Sequence, residues 1–156
     1  MVPAEFAGLK LDTKTGDTVM LIRRTDNSKV IPIWIGQPEA FSIAVGLSGF
    51  KPPRPLTHDL LLNVIEAMGG KLSMVVISGL REGTYYALLH IDRGEIETYV
   101  IDARPSDSIA LSVRAKCPIY VSEEVPAYSL DDPEDEIGQK LAERLKDLNP
   151  EDFLNL

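Results

Sequence analysis

Asp102-Ala103-Arg104-Pro105-Ser106-Asp107 marks the point where an apolar run, residues 99–101, gives way to a helical apolar pattern at residues 109–113. Proline at a first helical position costs a helix nothing, because the first N–H groups have no partner inside the helix. Asp107 falls in the first turn, where the helix dipole favours negative charge. The stretch predicts a strand-to-helix junction that carries two carboxylates and a guanidinium.

A second polar junction, Arg54-Pro55-Leu56-Thr57-His58-Asp59, follows a proline-rich segment and precedes another helical pattern. Thr57 is the predicted N-cap. The apolar stripe of this helix has helical spacing and consists of Leu61, Val64, Ile65 and Met68. Ligands usually bind at strand ends in α/β folds, so we expect the two polar junctions to meet in one site.

The remaining chain alternates between strand patterns and turn residues. Strands are predicted at residues 5–12, 18–24 and 29–35, and again at 71–80, 84–91 and 95–101, with a short final strand at 118–121. Pro32 suggests an edge position for its strand. The pattern predicts a single α+β domain, with a largely antiparallel sheet built from two three-stranded meanders and helices packed on it.

The segment after residue 125 has a different composition. We divide the domain into residues 1–125 and a C-terminal part, 126–156, made of an acidic loop, an amphipathic helix and an apolar tail. The apolar face of this helix consists of Ile137, Leu141, Leu145 and Leu148. Asn149-Pro150 ends the helix, and the tail 153–156 is apolar enough to dock on a second subunit.

Composition and charge limit the compartment and the partners. The 156 residues fit one domain, and 44% apolar residues suffice for a core. A lone Cys117 excludes an internal disulfide framework, and neither a signal peptide nor a membrane span is apparent, so we expect a cytoplasmic protein without a membrane partner. The net charge of −8 lies entirely in residues 121–156, which hold 11 acidic and 3 basic residues. The neutral remainder is compatible with a nucleic-acid partner.

Each candidate residue has a structural alternative. Asp102 and Asp107 could hold a divalent cation such as Mg²⁺, with Arg104 on a phosphate, or they could form a helix cap and a local ion pair. His58 could be a general base or acid beside Asp59, or the two could merely favour a first helical turn. Arg54 could anchor a phosphate or stack on its neighbouring prolines.

Several segments together resemble the bifunctional nuclease family, over about residues 9–125. The matching segments are Ile31-Pro32-Ile33-Trp34-Ile35-Gly36, Glu39-Ala40, residues 54–60 and residues 102–111. The resemblance implies an α+β domain and, for some members, degradation of both DNA and RNA. The family also includes small bacterial and thermophile proteins of unassigned function. The positions that match its polar motifs are Arg54, His58, Asp59, Asp102, Arg104 and Asp107.

Two functions from different classes are therefore expected. The first is a metal-dependent nuclease that hydrolyses phosphodiester bonds of DNA or RNA with Mg²⁺ or Mn²⁺. Its catalytic residues would be His58, Asp59, Asp102 and Asp107, and its substrate-binding residues Arg54 and Arg104. The second is a non-catalytic, homo-oligomeric binding module of unknown ligand, which the acidic tail and the lack of a basic or aromatic stripe favour.

Overall fold

The computed structural model describes residues 1–154, which form eight β-strands and four α-helices. The strands are β1 (Val2–Asp12), β2 (Thr18–Arg24), β3 (Val30–Ile35), β4 (Gly70–Arg81), β5 (Thr84–Arg93), β6 (Glu97–Ala103), β7 (Ile119–Val121) and β8 (Leu145–Leu148). The helices are α1 (Gln37–Ser48), α2 (Thr57–Ala67), α3 (Pro105–Ala115) and α4 (Glu136–Arg144), and a 3₁₀ turn, Pro150–Phe153, follows β8.

All eight strands belong to one sheet, in the order β3-β2-β1-β7-β4-β5-β6, with β8 also paired to β1. The pairs are antiparallel except for β4 and β7, which are parallel. Strands β1–β3 and β4–β6 are the two predicted meanders, and β7 joins them. Pro32 lies on β3, an edge strand. The predicted single α+β domain with a largely antiparallel sheet is confirmed.

The C-terminal part differs from the prediction. Helix α4 ends at Arg144, and Leu145 and Leu148 belong to β8, which pairs with the second half of β1. The pairing of β1 changes at an irregularity near Gly8, which has φ +110°, from β7 to β8 along the same edge. The unpaired N–H and C=O groups of β1 therefore bind residues 145–148 as a strand, although the leucines have helical spacing. Residues 118–121 are consequently not the final strand.

Two further expectations need correction. Phe153 is buried in the core of its own domain, so this part of the predicted tail does not dock on a second subunit; Asn155 and Leu156 lie outside the described residues. The turn between β5 and β6 falls at residues 94–96 instead of 92–94, because the ladder extends to the Arg93–Glu97 pair.

Helices α1, α2 and α3 share one face of the sheet. Ile43 of α1 and Ile109 of α3 are fully buried in one core cluster that also contains Val75 and Ile77 of β4. A Cβ atom at Gly46 would lie 2.6 Å from Val113 Cγ2, so glycine permits the close approach of α1 and α3. None of the helices in residues 1–154 is long and apolar enough to cross a membrane.

Candidate active site

The first turns of α1, α2 and α3 meet around one cleft of about 550 Å³. Pro38 and Pro105 stand at the starts of α1 and α3, where their missing N–H groups cost nothing. The cleft is lined by Pro38, Glu39, Phe41, Ser42, Pro55, Leu56, Thr57, His58, Arg104 and Asp107. Because helix N-termini carry partial positive charge and free N–H groups, three of them at one cleft favour an anion.

His58 connects the three helices. Its Nε2 atom lies 2.9 Å from Asp107 Oδ1, and its Nδ1 atom lies 2.6 Å from Ser42 Oγ. An ionised carboxylate only accepts hydrogen bonds, so the neutral imidazole carries its proton on Nε2 and donates it to Asp107. Nδ1 is then left as an acceptor for the Ser42 hydroxyl. The two polar junctions meet at this point.

Arg104 holds Asp107 from the open side of the cleft. Its Nε atom donates to Asp107 Oδ2 over 3.0 Å, and its Nη1 atom donates to Glu39 Oε1 over 3.3 Å. Burial raises the pKa of Asp107, but hydrogen bonds from Arg104 and His58 outweigh it and hold that pKa below its ordinary value. Asp107 is therefore ionised at neutral pH. The Arg104 side chain is 65% exposed and remains open to a ligand.

Asp59 faces away from the cleft and serves the start of α2. It accepts hydrogen bonds from the backbone N–H of Leu56 (2.9 Å) and from Arg114 Nε (2.8 Å). Burial raises the pKa of Asp59, and these two contacts more than reverse the effect. The N-cap is Leu56, so the prediction that Thr57 caps the helix is wrong: the Asp59 carboxylate binds the free N–H group instead. These contacts fit the structural alternative for Asp59.

The structure does not bring Asp102 or Arg54 into the cleft. Asp102 is an exposed residue of β6, paired with Leu88 of β5. Its neighbour Ile101 faces α2, so strand alternation points the Asp102 side chain to the opposite face of the sheet. Arg54 is exposed in the proline-rich linker and does not line the cleft. The structure therefore does not bring Asp102 and Asp107 together in the cleft.

The donor set does not fit the predicted Mg²⁺ or Mn²⁺ centre. Asp107 is hydrogen-bonded to Arg104 and His58, and Asp59 is hydrogen-bonded to Arg114. Within residues 1–154, no group of three or more His, Cys, Asp or Glu side chains is arranged to hold a metal ion. Asp107 and Asp59 instead pair with the guanidinium groups of Arg104 and Arg114.

Ser42 and Arg114 were missed by sequence reasoning. Arg114 is 8% exposed and donates to Ser42 Oγ (3.2 Å), to the carbonyl oxygen of Ala110 (2.7 Å) and to Asp59. The sequence carries one signal for it, because Arg114 follows Asp107 by seven residues, or two helical turns, and so shares its face of α3. Ser42 is a polar residue among buried apolar neighbours in α1, which was the available signal for that position.

Comparison with known proteins identifies the family to which this sequence is similar. The model of the bifunctional nuclease domain matches residues 19–130. An uncharacterized protein of Mycobacterium tuberculosis is 40% identical over an alignment of 165 positions that covers 98% of each chain. Bifunctional nuclease 1 of Oryza sativa subsp. japonica is 26% identical over 75% of this chain and 36% of its own, and Bifunctional nuclease 1 of Arabidopsis thaliana is 26% identical over 64% and 31%.

The chain therefore spans about a third of the length of these plant relatives and nearly the whole of the mycobacterial one. The family match covers more than half of the sequence and includes every polar residue of the cleft. Since the match includes the second meander, β4–β6, and all three helices that form the cleft, this chain belongs to the bifunctional nuclease domain family.

Proposed function

We propose that this protein is a nuclease that hydrolyses phosphodiester bonds of DNA or RNA in the cleft between α1, α2 and α3. The observation that carries the proposal is the His58–Asp107 hydrogen bond at a cleft lined by an exposed arginine and three helix N-termini. Membership of the family and the names of its plant relatives support the same activity.

The cleft offers separate groups for binding and for proton transfer. A phosphodiester group carries one negative charge, which Arg104 and the helix N-termini would bind and stabilise as charge grows in the transition state. His58 would accept the proton of the attacking hydroxyl on Nδ1 and return it to the leaving oxygen. Asp107 would hold the imidazole in the required tautomer and stabilise its protonated form.

The acidic C-terminal part does not oppose this assignment. All net negative charge of the chain lies in residues 121–156, and none of these residues lines the cleft. The nearest carboxylates are Glu39 and Asp107, and Arg104 is paired with both. Two carboxylates against one guanidinium leave a formal side-chain charge of −1 in the cleft lining, which the positive ends of the three helices offset.

Arg104→Ala is expected to lower kcat/KM for cleavage about 10- to 100-fold, because a charge-assisted contact to the phosphate is lost. The measurement uses labelled single-stranded DNA, duplex DNA and RNA, each with Mg²⁺, with Mn²⁺ and with EDTA. Arg23→Ala is the matched control, since Arg23 is also an exposed arginine in a carboxylate pair, far along the sheet on β2. Arg54→Ala in the same assay tests the sequence prediction that Arg54 binds phosphate.

Equal cleavage by the Arg104→Ala and Arg23→Ala variants would contradict the assignment of Arg104. Failure of the unaltered protein to cut any of the three substrates under all three conditions would contradict the nuclease proposal itself. Activity only with an added cation would show that the reaction needs a metal in addition to the side chains of the cleft.

We further propose that two copies of the chain pair through β6, which is compatible with either function. One edge of β6 has no partner strand within residues 1–154, and its Tyr99, Val100 and Ile101 are 43–53% exposed. Antiparallel pairing about Val100 places Tyr99 opposite the partner's Ile101 and Thr98 opposite the partner's Asp102. No like charges then oppose each other, and the exposed apolar side chains are covered.

Val100→Lys is expected to convert this dimer to a monomer, because it places a charge at the centre of the paired edges. Light scattering coupled to size-exclusion chromatography measures the mass. Ile137→Lys is the matched control, since Ile137 on α4 is 54% exposed and Val100 is 53% exposed. A monomeric unaltered protein, or a dimer that survives Val100→Lys, would contradict pairing through β6.

A further inference from the structure

Ser42 makes the contacts of an activated hydroxyl group. Its Oγ atom lies 2.6 Å from His58 Nδ1, and the residue lines the cleft. Because Asp107 keeps the proton of the neutral imidazole on Nε2, the Ser42 hydroxyl must donate to Nδ1. The order serine–histidine–aspartate is that of hydrolases with a serine nucleophile, here with the two ring nitrogens exchanged.

The hydroxyl of Ser42 differs from other helix serines of this chain. Ser48 donates to the carbonyl oxygen of Val45, and Ser108 donates to that of Arg104, which is the usual local contact of a serine within a helix. Ser42 makes no such backbone contact. The Ser42 hydroxyl therefore donates its proton to the imidazole and not to a backbone carbonyl oxygen.

Arg114 adds a positive charge beside the same oxygen. Its Nη2 atom donates to Ser42 Oγ over 3.2 Å, while Asp59 and the carbonyl oxygen of Ala110 fix the guanidinium. A neighbouring cation favours the negatively charged form of an oxygen nucleophile. Asp59 pairs with this guanidinium, and because the Arg114 side chain is 8% exposed, its hydrogen bond to Ser42 Oγ is shielded from bulk solvent.

We propose that Ser42 is the nucleophile of the nuclease reaction, an inference that rests on the proposed function. Ser42 Oγ attacks phosphorus while its proton passes to His58 Nδ1. The bond from phosphorus to the leaving nucleoside oxygen breaks, and that oxygen takes the proton from His58. A phosphodiester of Ser42 remains on the enzyme. Water then attacks phosphorus and gives a proton to His58, which protonates Oγ as the Oγ–P bond breaks.

This chemistry identifies the substrate class. A serine nucleophile does not use the 2′-hydroxyl of the substrate, so the same step serves RNA and DNA. The net reaction consumes one water and yields one phosphomonoester and one free hydroxyl end. The inference therefore predicts cleavage of both nucleic acids at one site, and no 2′,3′-cyclic phosphate product from RNA.

Two probes test the intermediate. The unaltered protein is mixed with a single-stranded DNA oligonucleotide, quenched in acid, digested with a protease and analysed by mass spectrometry. We expect the peptide containing Ser42 to carry the added mass of the oligonucleotide fragment that keeps the attacked phosphate. Separately, a dialkyl organophosphorus fluoride should modify Ser42 with loss of fluoride. The His58→Ala substitution should prevent this modification. Ser48→Ala is the matched control from α1 and should keep both labels.

The outcomes separate this inference from the proposed function. Cleavage by the unaltered protein that continues at the same rate in a folded Ser42→Ala variant would overturn the nucleophile and leave the nuclease proposal standing. No cleavage by the unaltered protein would overturn the nuclease proposal. Failure of the fluoride probe to modify Ser42 would overturn the inference in either case, without relying on the folding of any variant.

Discussion

His58→Ala is expected to lower kcat for nucleic-acid cleavage by about 10²- to 10⁴-fold, the usual contribution of a positioned general acid–base group. The substitution removes the acceptor that faces Ser42 Oγ and the donor that faces Asp107. Arg104 and the helix N-termini remain, so KM should change far less than kcat. Initial rates over a range of oligonucleotide concentrations separate the two parameters.

The chain provides a matched control, because it contains only two histidines. His90 is half-buried in β5, where it pairs with Met74 and Val100 on the neighbouring strands. His90→Ala should keep its cleavage rate, and thermal unfolding of both variants shows whether either has lost its fold. Similar losses of kcat in two folded histidine variants would contradict the role assigned to His58.

Arg144→Ala is expected to lower the midpoint of thermal unfolding by several degrees. Asp12 is fully buried at the end of β1, and Arg144 donates to both of its carboxylate oxygens, over 3.0 and 2.5 Å. Trp34 Nε1 adds a third contact at 2.9 Å. Removing one partner of a buried ion pair leaves the other charge buried without a partner. We therefore expect α4 and β8 to pack less stably against the sheet.

The same pair makes stability depend on pH. The Arg144 hydrogen bonds hold the pKa of Asp12 well below its ordinary value of 3.8, against the opposing effect of burial. The unfolded chain therefore binds a proton in a range where the folded chain does not, and stability falls as the pH drops below about 3.8. Urea unfolding at pH 7 and at pH 3 measures this fall.

Loss of the ion pair should reduce that pH dependence. In Arg144→Ala the folded-state pKa of Asp12 rises to the unfolded-state value or above it. Acidification should therefore lower the free energy of unfolding by less than in the unaltered protein. Lys146→Ala is a suitable control, because Lys146 is an exposed cation on the adjacent β8. An unfolding midpoint for Arg144→Ala equal to that of the control would contradict the role of the pair.

Local patterns sufficed for most of the fold. Residues 18–24 were predicted as a strand and form β2 without a change of bounds, because turn residues flank an uninterrupted apolar run. The junctions before α2 and α3 were also recognisable, since Pro105 and the proline-rich segment end any preceding strand. These signals act within a few residues, so sequence alone carries them.

The missing parts depend on contacts between distant residues. Leu145 and Leu148 have helical spacing. They nevertheless form a strand, because they pair with the open edge of β1, more than 130 positions earlier. Asp102 stands next to the apolar run 99–101, which shows no alternation that would assign it to a face. Ser42 meets His58 and Arg114 only after three helices have packed, so no local pattern marks it as part of the site.

The most direct test compares cleavage of the same single-stranded DNA and RNA by the unaltered protein and by Asp107→Asn, purified in parallel. Asparagine keeps the size of aspartate but cannot hold the proton of His58 on Nε2 as a carboxylate does. We predict that the unaltered protein cuts both substrates and that Asp107→Asn, equally stable to heat, cuts at least about 100-fold more slowly. Equal rates for the two proteins, or no cleavage by either, would contradict an active site at the meeting point of α1, α2 and α3.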